Sequence, residues 1–226
     1  MVYDLSEARL NIRTVFPNAG ERTVPDEILD LAIVNGLRRL SSDRPDTIEH
    51  TLSAPFNVSY PLTVFTRWEQ GFSAVRRVTI GPRTGVPYVP EALDRRRYRV
   101  TDSDFFVDTS GLRAETLIVE YTAPWLIKDV DGASATTLSP MLEGAHMWIS
   151  CRFLALSLAA KMAGATDRQL PADFINFRTR SDEFRALAKE FEENYRAELG
   201  LLGKQPAPVI VSEPASSAPP SPFWTY

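Results

Sequence analysis

Hydrophobic and polar residues follow two periods along the chain, helical towards both ends and strand-like in the middle. From Ser6 to Val15 a short helix is expected. Leu5, Ala8, Leu10, Ile12 and Val15 form its partly apolar face, Ser6 its cap, and Pro17, Asn18 and Gly20 its stop. A stronger helix begins at Pro25, with Asp26 and Glu27 in the first turn and Arg38 and Arg39 in the last, where each charge suits the helix dipole. Ile28, Leu29, Leu31, Ala32, Ile33, Leu37 and Leu40 are its apolar positions, and SSDRPD is expected to end it. From about Thr47 the period shortens. His50–Val58, Leu62–Thr66 and Ala74–Ile80 read as short strands, the last with an irregularity. Tyr98–Thr101 and Phe105–Asp108 read as a hairpin around TDSD. Leu117–Thr122 is the clearest strand, with Leu117, Val119 and Tyr121 on one face.

The helical period returns after the polar loop DVDGASATTLS. Ser139–Ala163 predicts one long helix with Ser139 as cap and Pro140 at the first helical position. It is apolar around most of its circumference, as in a helix covered on several sides. Glu143, His146, Arg152 and Lys161 interrupt it too often for a membrane span, which needs about 18 uncharged residues. A last helix is expected from Ala172 or Asp173 to about Leu199. Phe174, Phe177, Phe184, Leu187, Ala188, Phe191 and Tyr195 form its buried stripe, against a strongly charged opposite face.

The final stretch, from Lys204 to Tyr226, holds six of the 17 prolines and little charge, so it cannot build a core of its own. It nevertheless carries Val209, Ile210 and Val211 and an aromatic tip of Phe223, Trp224 and Tyr226. Such residues suit a docking arm that adds a strand and an aromatic anchor to another chain. Folding back onto its own domain is the alternative. The expected class is α+β: a helical bundle with an inserted antiparallel β sandwich or small barrel and an extended C-terminal arm. The expected divisions are 1–46 and 129–203 for the helices, 47–128 for the β insertion and 204–226 for the docking tail.

Composition narrows the function. With 44% hydrophobic and 24% charged residues, the 226-residue chain is ordinary for a globular protein. A net charge of −4 gives no reason to expect broad nucleic-acid binding. The single cysteine, Cys151, excludes an intrachain disulfide. The N-terminus lacks the basic start and apolar core of a signal peptide, so the cytoplasm is the expected place of synthesis.

No nucleophile–base or phosphate-binding motif is present, so no enzymatic activity, cofactor or metal is expected. Cys151, among apolar residues, reads as an inert buried thiol. His146, with Glu143 one turn before it, reads as a polar contact at a subunit interface, as do Trp148 and Arg152 nearby. Asp102, Asp104 and Asp108 lack the glycine and closing glutamate of a calcium loop and read as a hairpin turn. Arg95, Arg96 and Arg97 read as a solvated or partner-facing loop.

The order of elements carries a resemblance. A helix ends in LDLAIVNGLRRLSSDRP, a β insertion closes with LIVEYTAPWLI, a TTLSP turn (Thr136, Thr137, Leu138, Ser139, Pro140) opens a long apolar helix, and a charged helix ends in ENYRAELG. Over roughly residues 25 to 200 this resembles the head–tail adaptor (connector) proteins of tailed bacteriophages and related gene transfer particles. The resemblance implies a homo-oligomeric ring, usually of twelve copies, in the virion neck. The ring sits between the portal protein and the stopper or tail, lets double-stranded DNA pass without reading its sequence, and catalyses nothing. It implies synthesis in a bacterial host cytoplasm and a C-terminal segment that docks on the portal, here within Val209–Tyr226. Another neck or tail-completion protein, such as a stopper or tail terminator, is the next reading. A ligand-binding or hydrolytic enzyme using the β insertion is the reading from a different class.

Overall fold

The computed structural model describes residues 3–16, 24–82, 91–112, 114–164 and 171–200, and only the backbone of residues 164 and 171–179. Among them are four α-helices and seven strands in two small antiparallel sheets, a mixed α+β fold.

Helix α1 (Leu5–Val15) is capped by Asp4, not by Ser6 as expected; the Asp4 carboxylate accepts from the Glu7 N–H at 3.0 Å. The distant backbone of Lys128 sets this start, since its carbonyl accepts from the Leu5 N–H at 3.1 Å and holds Asp4 extended. Helix α2 (Asp26–Asp43) begins after Pro25 as expected but runs on through Ser41, Ser42 and Asp43. A tertiary bond outweighs the weak helix preference of serine. Ser41 is buried, and its hydroxyl accepts from the Trp125 N–H at 3.1 Å. Helix α3 (Glu143–Gly164) is entered through a 3-10 turn, Pro140–Leu142, and the Ser139 side chain makes no cap bond. Helix α4 (Pro171–Glu198) ends before Gly200, whose φ of 66° turns the chain away as only glycine does readily.

The strands are β1 (Asp46–Ser53), β2 (Ser59–Pro61), β3 (Val75–Ile80), β4 (Glu91–Ala92), β5 (Tyr98–Val100), β6 (Asp104–Val107) and β7 (Thr116–Ala123). They form a four-stranded sheet in the order β1-β7-β3-β4 and a three-stranded sheet in the order β2-β6-β5. The expected strand His50–Val58 is displaced: β1 starts at Asp46 and ends before Pro55. The expected strand Leu62–Thr66 is instead a 3-10 turn, Leu62–Val64, which buries Leu62 and Phe65 at a spacing of three. The irregularity in β3 is a register shift between Val75 and Arg77. Strands β5 and β6 make the expected hairpin around TDSD. Leu117, Val119 and Tyr121 of β7 are wholly buried. They join Phe105 and Val107 of β6 and Phe65 in one apolar core shared by the two sheets.

A second core lies among the helices. Ile12, Leu29, Ile33, Leu40, Ile149, Leu154, Phe191 and Tyr195 are its main side chains. Ile127 and Val130 also pack there, so the β part ends at Ala123 and the segment expected to close it belongs to the helices. Entry and exit of the β part lie side by side, because Asp46 pairs with Ala123. The junction is tied by Arg67, which bonds the Asp46 carboxylate at 2.8 Å and donates to the Pro124 carbonyl. The Trp125 indole adds a bond to the Arg44 carbonyl at 2.7 Å.

Helix α3 lies between α2 and α4 and spends most of its hydrophobicity on them. Its outer face is narrow and mixed, with Ser157, Ala160 and Lys161 exposed beside Leu156. Its approach to α2 requires glycine at position 36. A Cβ there would stand 2.3 Å from the Ser150 hydroxyl oxygen and 3.1 Å from the Ser150 backbone nitrogen and Cα. Gly36→Ala gains about 1 kcal/mol of helix preference but incurs an overpacking cost of about 1–3 kcal/mol. The expected result is a lower melting temperature, and a lower one still for Gly36→Val. A thermal scan that shows Gly36→Val unchanged would refute the close approach.

Candidate functional site

His146 is enclosed by its own chain, with none of its surface exposed. Its Nε2 lies 3.2 Å from the Ile33 carbonyl of α2, and its Nδ1 lies 2.9 Å from the Tyr3 hydroxyl. A carbonyl only accepts, so Nε2 carries the hydrogen and Nδ1 receives the Tyr3 O–H. The Ser150 hydroxyl stands 3.3 Å from Nε2, one helical turn on. The ring is bonded on both nitrogens, and it is its burial that favours the neutral form. Burial pushes its pKa down to about 4, only partly offset by the bond to Ile33. The same burial, reinforced by the negative charge of Glu143, raises the Tyr3 phenol above its ordinary value. This corrects the expectation of a subunit-boundary histidine: the lead-in to α1 and the carbonyl of α2 close over the ring.

Trp148 and Arg152 are half-buried on the seam between α3 and α4. Trp148 stacks on Phe191 with ring centroids 5.9 Å apart. Arg152 pairs with Glu192 at 2.8 Å, and Glu192 also holds Arg196 at 2.9 Å. Both therefore have partners within the chain, leaving only part of each side chain for a neighbour. Cys151 is buried, and desolvation pushes its thiol up to about 12, so it stays protonated at neutral pH. Val209, Ile210, Val211, Phe223, Trp224 and Tyr226 lie outside the described residues.

Asp102 and Asp104 sit at the β5–β6 turn, whereas Asp108 follows β6 at the other end of the hairpin, beside Arg97. Bonds from Ser110, with a smaller contribution from Arg97, hold the Asp108 carboxyl below its ordinary range. Among the described residues no three His, Cys, Asp or Glu side chains are grouped to hold a metal ion.

The arginine run forms a 3-10 turn, Arg95–Arg97, capped by the Asp94 carboxylate on the Arg96 N–H at 2.9 Å. It opens onto the outer face of the second sheet. Strand alternation places Phe105 and Val107 inside, so Phe106 faces outward, opposite Arg99 on β5. The Arg99 guanidinium lies 4.9 Å over the Phe106 ring. Val58, 77% exposed, and Thr109 complete a concavity of about 460 Å³ that also takes in Arg96, Arg97 and Ser110. This groove gathers cations, aromatic surface and hydroxyls on the β part, with the Asp108 carboxylate also in its lining. Sequence reading singled out the three adjacent arginines but not Arg99, Phe106 or Val58. The cross-strand pairing of Arg99 with Phe106 around TDSD was the available signal. A smaller concavity of about 220 Å³ lies at the junction between α2 and the segment after β7, and Arg38 and Asp131, 3.5 Å apart, are part of its lining.

These features define a mixed α+β chain of four helices and two small antiparallel sheets, with an arginine-lined groove on the second sheet. Compared with known proteins, the chain matches no family model and no curated protein.

Proposed function

We propose that this chain is a structural head–tail adaptor (connector) subunit: a ring-forming protein of a virion neck that joins the portal of a phage-like capsid to the stopper or tail. The observation that carries this reading is the placement of the β part between α2 and α3. Its two ends lie side by side, and a long apolar helix and a charged final helix follow it in the order the adaptor reading expects. Further support comes from chemistry. The two groups most open to a catalytic reading, His146 and Cys151, are buried as a neutral ring and a protonated thiol. Among the described residues no helix is long and apolar enough to cross a membrane.

In this reading the β insertion is a small two-sheet sandwich borne on the bundle. The ring, of twelve copies, surrounds a passage through which double-stranded DNA moves without sequence readout. The arm bearing Val209–Val211 and Phe223, Trp224 and Tyr226 locks onto the portal. Proline in such an arm reduces the freedom lost on docking.

The test is reconstitution of the full chain with the portal protein of the particle that carries it, read by native mass spectrometry and electron microscopy. A ring seated on the portal is expected, and deletion of Pro206–Tyr226 is expected to release it. A chain that stays off the portal would overturn the adaptor reading. If it then capped tail tubes, it would be a terminator.

A further inference from the structure

Two surfaces of the fold carry opposite charges that have no ion-pair partner among the described residues. On the second sheet, Arg95, Arg96 and Arg99 are exposed, and none has a carboxylate partner among the described residues. This is notable in a chain with more acidic than basic residues, 29 against 25. The neighbouring Arg97 shows the contrast: it is held by Asp108 at 3.7 Å. On α4, Glu183, Glu190 and Glu193 are exposed, and they too lack ion-pair partners among the described residues. Positions 183, 186, 190, 193 and 197 fall on one helical stripe, with steps of three and four. Ala186 and Ala197 occupy the intervening places, so the stripe is shallow, and exposed Lys189, one turn before Glu193, flanks its acidic positions. Glu192, one position off it, is instead shared by Arg152 and Arg196.

We propose that the arginine groove of one copy receives the Glu190–Glu193 stripe of α4 from the next copy. The inference rests on the adaptor reading for the closure of the ring, but it assigns the contacting faces on charge alone. Guanidinium groups bind carboxylates through paired parallel N–H donors, and Arg99, resting on Phe106, presents its free edge for such a bond. Val58 offers the apolar surface against which the alanines of the stripe can pack. Because the two patches differ, the contact is head-to-tail, and repetition makes a ring where the rotation closes. Exposed ion pairs contribute little individually, so this contact sets orientation and weakens as salt rises.

Charge reversal tests it. The full chain is followed by analytical ultracentrifugation, alone and on the portal, at low and high salt. One variant carries Arg96→Glu with Arg99→Glu, the other Glu190→Arg with Glu193→Arg. Each alone is expected to weaken self-association at least tenfold while keeping the wild-type circular dichroism spectrum. An equimolar mixture is expected to restore assembly, because each altered groove then meets an oppositely charged stripe. If the wild type assembles and both variants assemble equally well, the assigned faces are wrong while the adaptor reading stands. Loss of assembly without rescue in the mixture also overturns the assignment. A wild-type chain that assembles neither alone nor on the portal removes the adaptor reading and this inference with it.

Discussion

Phe65→Ala is expected to destabilise the β part by about 3–5 kcal/mol, the range for a buried aromatic cut back to a methyl group. Phe65 is 2% exposed and follows the 3-10 turn between β2 and β3. Its ring meets Phe105 of β6 at 5.6 Å and Tyr121 of β7 at 5.4 Å, both edge-on. It also meets Trp68 at 5.8 Å and His50 of β1 at 5.1 Å. Phe65 thus touches strands of both sheets, and its removal leaves a void at their shared core. Urea unfolding followed by near-ultraviolet circular dichroism should show the midpoint fall sharply. Phe65→Leu should retain much of the stability, since it keeps most of the buried volume. A loss below about 1 kcal/mol for the alanine variant would show that the two sheets do not depend on this ring.

Acid should destabilise the helical part through His146 by about 3 kcal/mol. The unfolded ring takes up its proton near its ordinary value of 6.5, the folded ring near about 4. Between these values the unfolded state binds more protons. The contribution is therefore complete above pH 6.5, is lost as pH falls through the window, and is exhausted below about pH 4. Glu143 acts in the opposite sense: burial raises its pKa, so its protonation recovers some stability as pH falls. Comparison with His146→Gln isolates the histidine, because the amide can donate to Ile33 and accept from Tyr3 without titrating. The variant should be less stable at pH 7.5 and should lose much less between pH 7.5 and 4.5 in urea titrations. Equal losses in the two proteins would refute the neutral buried ring.

What could be read from the sequence was local. The alternation of Leu117, Val119 and Tyr121 needs only neighbouring residues to be recognised, and these positions are indeed wholly buried. The misses were long-range. Asp4 replaces Ser6 as cap because Lys128 holds the chain there, and Ser41 stays helical because Trp125 bonds to its hydroxyl. Leu62 and Val64 alternate as in a strand while Leu62 and Phe65 stand one 3-10 turn apart, so the pattern could not separate the two. For the candidate site the same rule holds. His146 reads as an interface residue only while Tyr3, 143 positions away, is not known to cover it. The arginine run was visible in the sequence, but the groove appears only when strand pairing sets Arg99 beside Phe106.

The pairing of Asp46 with Ala123 has a consequence for how this chain can change over time. Opposed residues of an antiparallel pair are about 5 Å apart, a gap that a two-residue hairpin loop spans. The whole stretch between them is therefore a cassette. It can lengthen, shrink or be exchanged for another while α2 and the segment leading to α3 keep their places. Selection can tune what the two sheets meet without reopening the core among the helices.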